Sequence, residues 1–153
     1  MAVSSAAVKS GRTSEKVPVA GVVYAPALDR MFSADAGGAF EGAKPIRARA
    51  APPGMIAVGS RSHGDAATDE FLKPYPVTKF VSAGSSLKFC LVAAGEADIY
   101  ARGGRTMEWD TAAGHAVLRA AGGTVQRLGF AGGHGIDPGL FPAMRAALEA
   151  GWS

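Results

Sequence analysis

The sequence is organised around Gly104-Arg-Thr-Met-Glu-Trp-Asp-Thr-Ala-Ala-Gly-His-Ala-Val-Leu-Arg-Ala-Ala-Gly-Gly123. This segment predicts a loop followed by an alanine-rich helix over residues 111–121. Asp110 occupies the N-cap position, and the glycine pair at 122–123 ends the helix, because glycine readily adopts the conformation of a C-terminal cap. A carboxylate at a helix start either caps the helix or holds a hard cation. The residues by themselves leave both interpretations open.

The predicted helix is amphipathic. His115 and Arg119 lie on its polar side. The apolar side is made of small aliphatic residues: Ala112, Ala116, Val117 and Ala120. Such a face needs a partner surface, so we expect this helix to pack against another element rather than stand free.

The segments before this helix predict alternating strands and helices. The run at 55–60 is continuously apolar, as in a strand covered on both faces. A helix at 65–72, a strand at 77–81, a helix capped by Ser85 or Ser86 and ended by Gly95, and a strand at 97–100 follow it. This alternation favours helices packed on a mainly parallel sheet.

The first third of the chain predicts a different architecture. A β-branched strand at 17–24 is followed by strands at 31–34 and 39–42, with a hairpin turn at Gly37-Gly38 between the last two. Residues 45–50 predict an edge strand. The expected fold class is therefore α/β: an antiparallel meander followed by a mostly parallel or mixed sheet with packed helices.

Composition and charge narrow the function classes. The chain has 153 residues, of which 48% are hydrophobic and 19% charged, as in a soluble globular domain. Its net charge of +3 mildly favours anionic small molecules and is too small to indicate a nucleic-acid polymer as partner. No apolar run is long enough for stable membrane insertion. The single cysteine, Cys90, is typical of a reducing compartment, so we expect a cytoplasmic protein.

Three regions are predicted along the chain. Residues 1–16 are rich in serine, alanine and lysine and predict a flexible tail. Residues 17–128 carry the strand and helix patterns of one domain. Residues 129–153 are a divergent C-terminal tail with a glycine-rich start.

Residues 84–88 offer three kinds of phosphate ligand within one helical turn. They provide backbone N–H groups at a helix start, the hydroxyls of two serines, and the ammonium of Lys88. A capped helix with a solvated lysine explains the same residues without a ligand.

Three motifs, in order along the chain, are similar to those of the inositol monophosphatase-like phosphatases. They are Gly84-Ser-Ser-Leu-Lys-Phe-Cys90, Gly95-Glu-Ala-Asp-Ile-Tyr100 and Trp109-Asp-Thr-Ala-Ala-Gly114. With residues 21–26 and 60–63, the likeness runs from about residue 17 to about residue 128. It resembles the second half of that layered fold, and most of all the family's 3'(2'),5'-bisphosphate nucleotidases.

The resemblance implies a substrate and its contacts. It implies a phosphomonoesterase that removes the 3' (or 2') phosphate of adenosine 3',5'-bisphosphate. Ser85 and Lys88 match substrate-binding positions, and Arg102 matches a contact to the second phosphate. His63 is expected near the adenine or ribose. Two alternatives stay open: Glu108 either contacts a substrate hydroxyl or is simply exposed, and Arg105 is close enough in sequence to share or replace the role of Arg102.

The resemblance also implies Mg²⁺ as cofactor, with Asp110 as one ligand. Family members use two or three Mg²⁺ ions to activate water and stabilise the leaving oxygen. Their other ligands come from an upstream glutamate and an Asp-x-Ile/Leu-Asp-Gly-Thr motif, which this chain does not contain. We therefore expect a partial chain with little or no activity by itself. The alternatives are an inositol monophosphatase-type enzyme, a non-catalytic anion-binding fragment, and a fragment that forms a homo-oligomer.

Overall fold

A computed structural model describes residues 3–9, 17–60, 66–102 and 108–125. In this part of the chain, five strands form an antiparallel sheet in sequence order. They are β1 (Val3–Lys9), β2 (Val17–Ala25), β3 (Arg30–Asp35), β4 (Gly38–Glu41) and β5 (Lys44–Pro45). A 3-10 turn at Pro26–Leu28 connects β2 to β3.

The second sheet is parallel, with the order β7-β6-β8. Its strands are β6 (Met55–Gly59), β7 (Val77–Ser82) and β8 (Ile99–Tyr100). The helices are α1 (Ala66–Leu72), α2 (Leu87–Ala93) and α3 (Glu108–Ala120). An antiparallel meander followed by a parallel sheet with helices is the predicted fold class, which is confirmed.

Helix α3 lies between the first sheet and α2, and glycines allow the close approach on both sides. A Cβ atom added to Gly21 of β2 would lie 2.7 Å from the Ala113 carbonyl oxygen. A Cβ atom added to Gly114 of α3 would lie 2.7 Å from Cδ2 of Phe89 on α2. Glycine is therefore required at positions 21 and 114, because a larger side chain at either position would separate α3 from β2 or from α2.

The core follows from this arrangement. Val23 and Phe32, which are paired across β2 and β3, are fully buried. They join Cys90, Val117 and other buried residues in one apolar cluster. Burial raises the pKa of the Cys90 thiol to about 12, so it acts as a small core residue and not as a nucleophile.

Asp98 joins three separate segments at the start of β8. Its carboxylate accepts two hydrogen bonds from the Arg49 guanidinium, at 2.7 and 2.8 Å, and one from the Ile56 backbone N–H at 2.7 Å. These bonds, with that to Arg49 first, hold the pKa of the carboxyl below its ordinary value. The irregular segment before β6 is thereby fixed to the parallel sheet.

Two strand predictions were wrong. The predicted tail at 1–16 contains β1, which pairs with β2 along its length. As the edge strand of this sheet, β1 is held by backbone hydrogen bonds, and its composition gave little strand signal. The predicted edge strand at 45–50 is irregular beyond Pro45, because the Ala48 N–H bonds to the Ala121 carbonyl at the end of α3 rather than to a neighbouring strand.

The boundaries of the central helix also differ from the prediction. Helix α3 begins at Glu108, so Asp110 lies inside the first turn and is not the N-cap. Ala120, predicted on the apolar side, is exposed, whereas Leu118 is buried. The left-handed conformation of Gly122, with φ of 89°, ends the helix as predicted. The region after residue 125, including the tail predicted at 129–153, lies outside the described residues.

We expect Gly21→Ala to destabilise the fold by about 1–3 kcal/mol, because the new methyl group meets backbone atoms of α3 that cannot move independently. Gly84→Ala is the control, since nothing lies within 4 Å of a Cβ atom there. Urea unfolding measures both variants. If Gly21→Ala and Gly84→Ala have equal unfolding free energies, the close approach of β2 to α3 does not restrict the side chain at position 21.

Candidate phosphate-binding site

The candidate site lies at the carboxyl edge of the parallel sheet. Strands β6, β7 and β8 run in the same direction, so their carboxyl ends, at Gly59, Ser82 and Tyr100, meet at one edge. The segments that follow β7 and β8 carry the predicted substrate residues. This edge is where ligands commonly bind in open α/β sheets.

Lys88 is the most unusual side chain at this edge. It is a lysine on α2 with only 4% of its surface exposed. Its ammonium donates a hydrogen bond to the Ala83 carbonyl, at 3.2 Å, and lies 5.4 Å from the centre of the Tyr100 ring. Among the described side chains, no carboxylate forms an ion pair with it. Burial, and next the charge of Arg102, lower the pKa of Lys88.

Tyr100 connects Lys88 to Arg102. Its ring packs edge-to-face on Phe89, with centroids 5.1 Å apart. Burial raises the pKa of the Tyr100 hydroxyl, and a hydrogen bond with the Arg102 side chain acts in the opposite direction. Two cationic side chains, Lys88 and Arg102, therefore both contact this tyrosine.

The two serines at the start of α2 differ in position. Ser85 is exposed and has a left-handed backbone, with φ of 48°. Ser86 is 1% exposed, and its hydroxyl donates a 2.8 Å hydrogen bond to the Asp110 carbonyl oxygen. Ser86 is the N-cap residue of α2, one of the two predicted positions, but its side chain makes no capping hydrogen bond, because the hydroxyl forms this bond to α3. The start of α2 is thus fixed to the first turn of α3.

Asp110 is the third residue of α3, on an exposed part of the first turn. Within residues 3–9, 17–60, 66–102 and 108–125, no three histidine, cysteine or acidic side chains are grouped so that they could hold a metal ion. Mg²⁺ prefers near-octahedral oxygen coordination, often with more than one carboxylate. The described residues therefore do not form a complete Mg²⁺ site.

The structure places the predicted residues as follows. Lys88 and Arg102 lie near each other, Ser85 precedes the N-cap of α2, and Asp110 is joined to this region through Ser86. His63 lies outside the described residues, as does the side chain of Glu108.

Sequence reasoning gives no site role to Tyr100. It treats Ser86 as a helix cap or as one of two serine hydroxyls that could bind phosphate, and it does not predict the bond to α3. The available signals were a second serine directly after the predicted ligand Ser85, and an aromatic residue two positions before a predicted cationic ligand.

The chain belongs to the inositol monophosphatase family. The model of this family matches residues 3–145, which is most of the chain. The match also includes β1 and extends beyond residue 128, where the sequence prediction ended the domain. The resemblance inferred from the three motifs is confirmed.

Within the family, the chain is similar to proteins named 3'(2'),5'-bisphosphate nucleotidase CysQ. It is 49% identical to CysQ of Escherichia coli K12 over 99 residues, which are 62% of this chain and 40% of that protein. It is 44% identical to CysQ of Buchnera aphidicola over 101 residues, 63% of this chain and 38% of that protein. The matched region thus spans about 40% of the length of these curated relatives.

Solved structures of this family are also similar to the chain. CysQ from Bacteroides thetaiotaomicron superposes with a TM-score of 0.62 at 38% identity, covering 69% of this chain and 48% of that chain. The Thermotoga maritima IMPase has a TM-score of 0.59 at 29% identity, covering 69% and 43%. In the described part of the chain, no helix has the length and apolar character needed to cross a membrane.

We expect Ser86→Ala to lower the unfolding free energy by about 0.5–1.5 kcal/mol, the net value of a typical hydrogen bond. The amides in the first turn of α3 should also exchange faster with solvent, because the bond to the Asp110 carbonyl is lost. Urea unfolding and hydrogen exchange are the measurements, with the exposed Ser82→Ala as control. Unchanged exchange in the first turn of α3 would show that Ser86 does not fix Asp110.

Proposed function

We propose that this chain supplies the phosphate-binding side of a phosphomonoesterase that removes the 3' (or 2') phosphate of adenosine 3',5'-bisphosphate. Family membership supports the reaction class, and the similarity to proteins named bisphosphate nucleotidase supports the substrate class. In this proposal, Lys88 and Ser85 bind one phosphate group and Arg102 binds the other. His63 and Glu108 are proposed contacts to the nucleoside.

The buried ammonium of Lys88 carries this proposal. A charge removed from water is costly unless an opposite charge or several hydrogen bonds compensate it. Lys88 has three donors, and in the described structure they meet one carbonyl oxygen and the face of one ring. The nearby charge of Arg102 increases the cost. A bound phosphate would supply the missing negative charge and accept the remaining hydrogen bonds.

Mg²⁺ is the proposed metal of the complete enzyme, with Asp110 as one ligand. When bound, it would supply charge stabilisation at the phosphate under attack. We expect nucleotide binding by this chain to be measurable in the absence of metal.

Two alternatives have support of their own. Inositol monophosphatases are also among the similar structures, and competition between an inositol monophosphate and the nucleotide for the same cleft distinguishes these ligands. A homo-oligomer is the second alternative, and Val22 and Met31, which are 42% and 50% exposed on neighbouring strands of the first sheet, support it, because exposed apolar residues are typical of association surfaces.

Lys88→Met tests the proposal, measured by calorimetric titration of the purified chain with adenosine 3',5'-bisphosphate in the absence of metal. We expect the affinity to fall at least about tenfold, because a charged hydrogen bond to phosphate is lost. The unfolding free energy should be unchanged or higher, since the substitution removes a buried charge without a counterion.

Lys79→Met is the matched control, because it removes the same charge from an exposed position on β7. It should retain wild-type affinity. Wild-type affinity in Lys88→Met, no binding by the wild-type chain, or a loss of stability in Lys88→Met would each contradict the proposal.

A further inference from the structure

Tyr100 contacts both cations of the candidate site, Lys88 and Arg102, through different parts of one side chain. The Lys88 ammonium lies 5.4 Å from the ring centroid, and the Arg102 side chain hydrogen-bonds with the hydroxyl. A third contact, edge-to-face with Phe89, orients the ring from the side of α2. Tyr100 also ends β8 and pairs with Val58 of the central strand, so its backbone is held by the sheet.

Two neighbouring cations repel each other when the cleft is empty. The repulsion is larger near buried groups than in water, because the effective dielectric constant is lower. Without an anion, flexible side chains such as lysine and arginine would move apart toward solvent. An aromatic face attracts an ammonium through its quadrupole, and a phenolic oxygen accepts a hydrogen bond from a guanidinium. One tyrosine can therefore stabilise both cations at a short separation.

We propose that Tyr100 is a positioning residue that holds the Lys88 ammonium and the Arg102 guanidinium ready for a ligand with two phosphate groups. The ring fixes the ammonium, and the hydroxyl fixes the guanidinium. The two cations then bind two separate phosphate groups of one nucleotide rather than converging on one phosphate. This role rests on the proposed function, because it assigns the geometry that such a nucleotide requires.

A purely structural role for Tyr100 makes a different prediction. If the ring only filled space against Phe89, an apolar residue of similar size would preserve the cleft, and only stability would change. The two parts of the side chain can be tested separately. Tyr100→Phe keeps the ring and removes the hydroxyl, whereas Tyr100→Leu removes both.

The experiment combines NMR titration of the Lys88 ammonium with calorimetry using adenosine 3',5'-bisphosphate. For Tyr100→Phe, we expect the Lys88 pKa to rise, because the released Arg102 guanidinium no longer repels the ammonium, and we expect an affinity about threefold to tenfold lower, because Arg102 loses its acceptor. For Tyr100→Leu, the Lys88 pKa should lie about half a unit below that of Tyr100→Phe, because the attraction of the ring is also lost, and the affinity should fall below that of Tyr100→Phe. Adenosine 5'-monophosphate should bind with a smaller difference between wild type and Tyr100→Phe.

Tyr75→Leu is the control, because the ring of Tyr75 packs on Phe71 of α1 and not on Lys88. It should change neither the Lys88 pKa nor the affinity. A Lys88 pKa in Tyr100→Leu that is no lower than in Tyr100→Phe, or full affinity in Tyr100→Phe, would overturn the positioning role. If the wild-type chain does not bind the nucleotide, the proposed function fails, while the Lys88 pKa in the two variants still decides whether Tyr100 holds the ammonium.

Discussion

The close approach of α3 to β2 and to α2 determines the rest of this structure. At Gly21 and Gly114 the neighbouring atoms would lie within 3 Å of an added Cβ atom, so three elements meet with no space for larger side chains. This packing sets the distance between the antiparallel sheet and the helices on the parallel sheet. It also brings the first turn of α3 beside the start of α2, where Ser86 joins them. The position of Asp110 relative to Lys88 is thus a consequence of core packing.

The same packing explains how a lysine can be buried at the edge of a sheet. Lys88 is on a helix whose other buried residues include Phe89, Cys90 and Leu91, and the core fixes that helix. The packing of the whole apolar cluster therefore offsets the free energy lost when the Lys88 ammonium is removed from water. A site of this kind gives up stability in the free protein and regains it when an anion binds. In the proposed site, the ring of Tyr100 lowers this cost without adding a negative charge that would compete with phosphate.

Most of the architecture could be predicted from the sequence because its signals are local. The β-branched run that forms β2, the apolar run of β6 and the glycine at 122 each specify their own conformation. The failures involve long-range partners. β1 depends on pairing with β2, and residues 46–50 depend on the end of α3, so neither could be recognised from its own composition.

In the candidate site, too, local features could be predicted from the sequence and long-range contacts could not. The motif residues Lys88 and Arg102 could be named from the sequence, and the structure brings them together. The burial of Lys88 and the contacts of Tyr100 and Ser86 could not be predicted from the sequence, because they arise from elements distant along the chain.

The most direct test of the proposed site is a crystal structure of the chain grown with adenosine 3',5'-bisphosphate. We expect phosphate oxygens to accept hydrogen bonds from Lys88 Nζ and the Arg102 guanidinium. A nucleotide bound elsewhere, or a carboxylate of the chain paired with Lys88, would contradict this account.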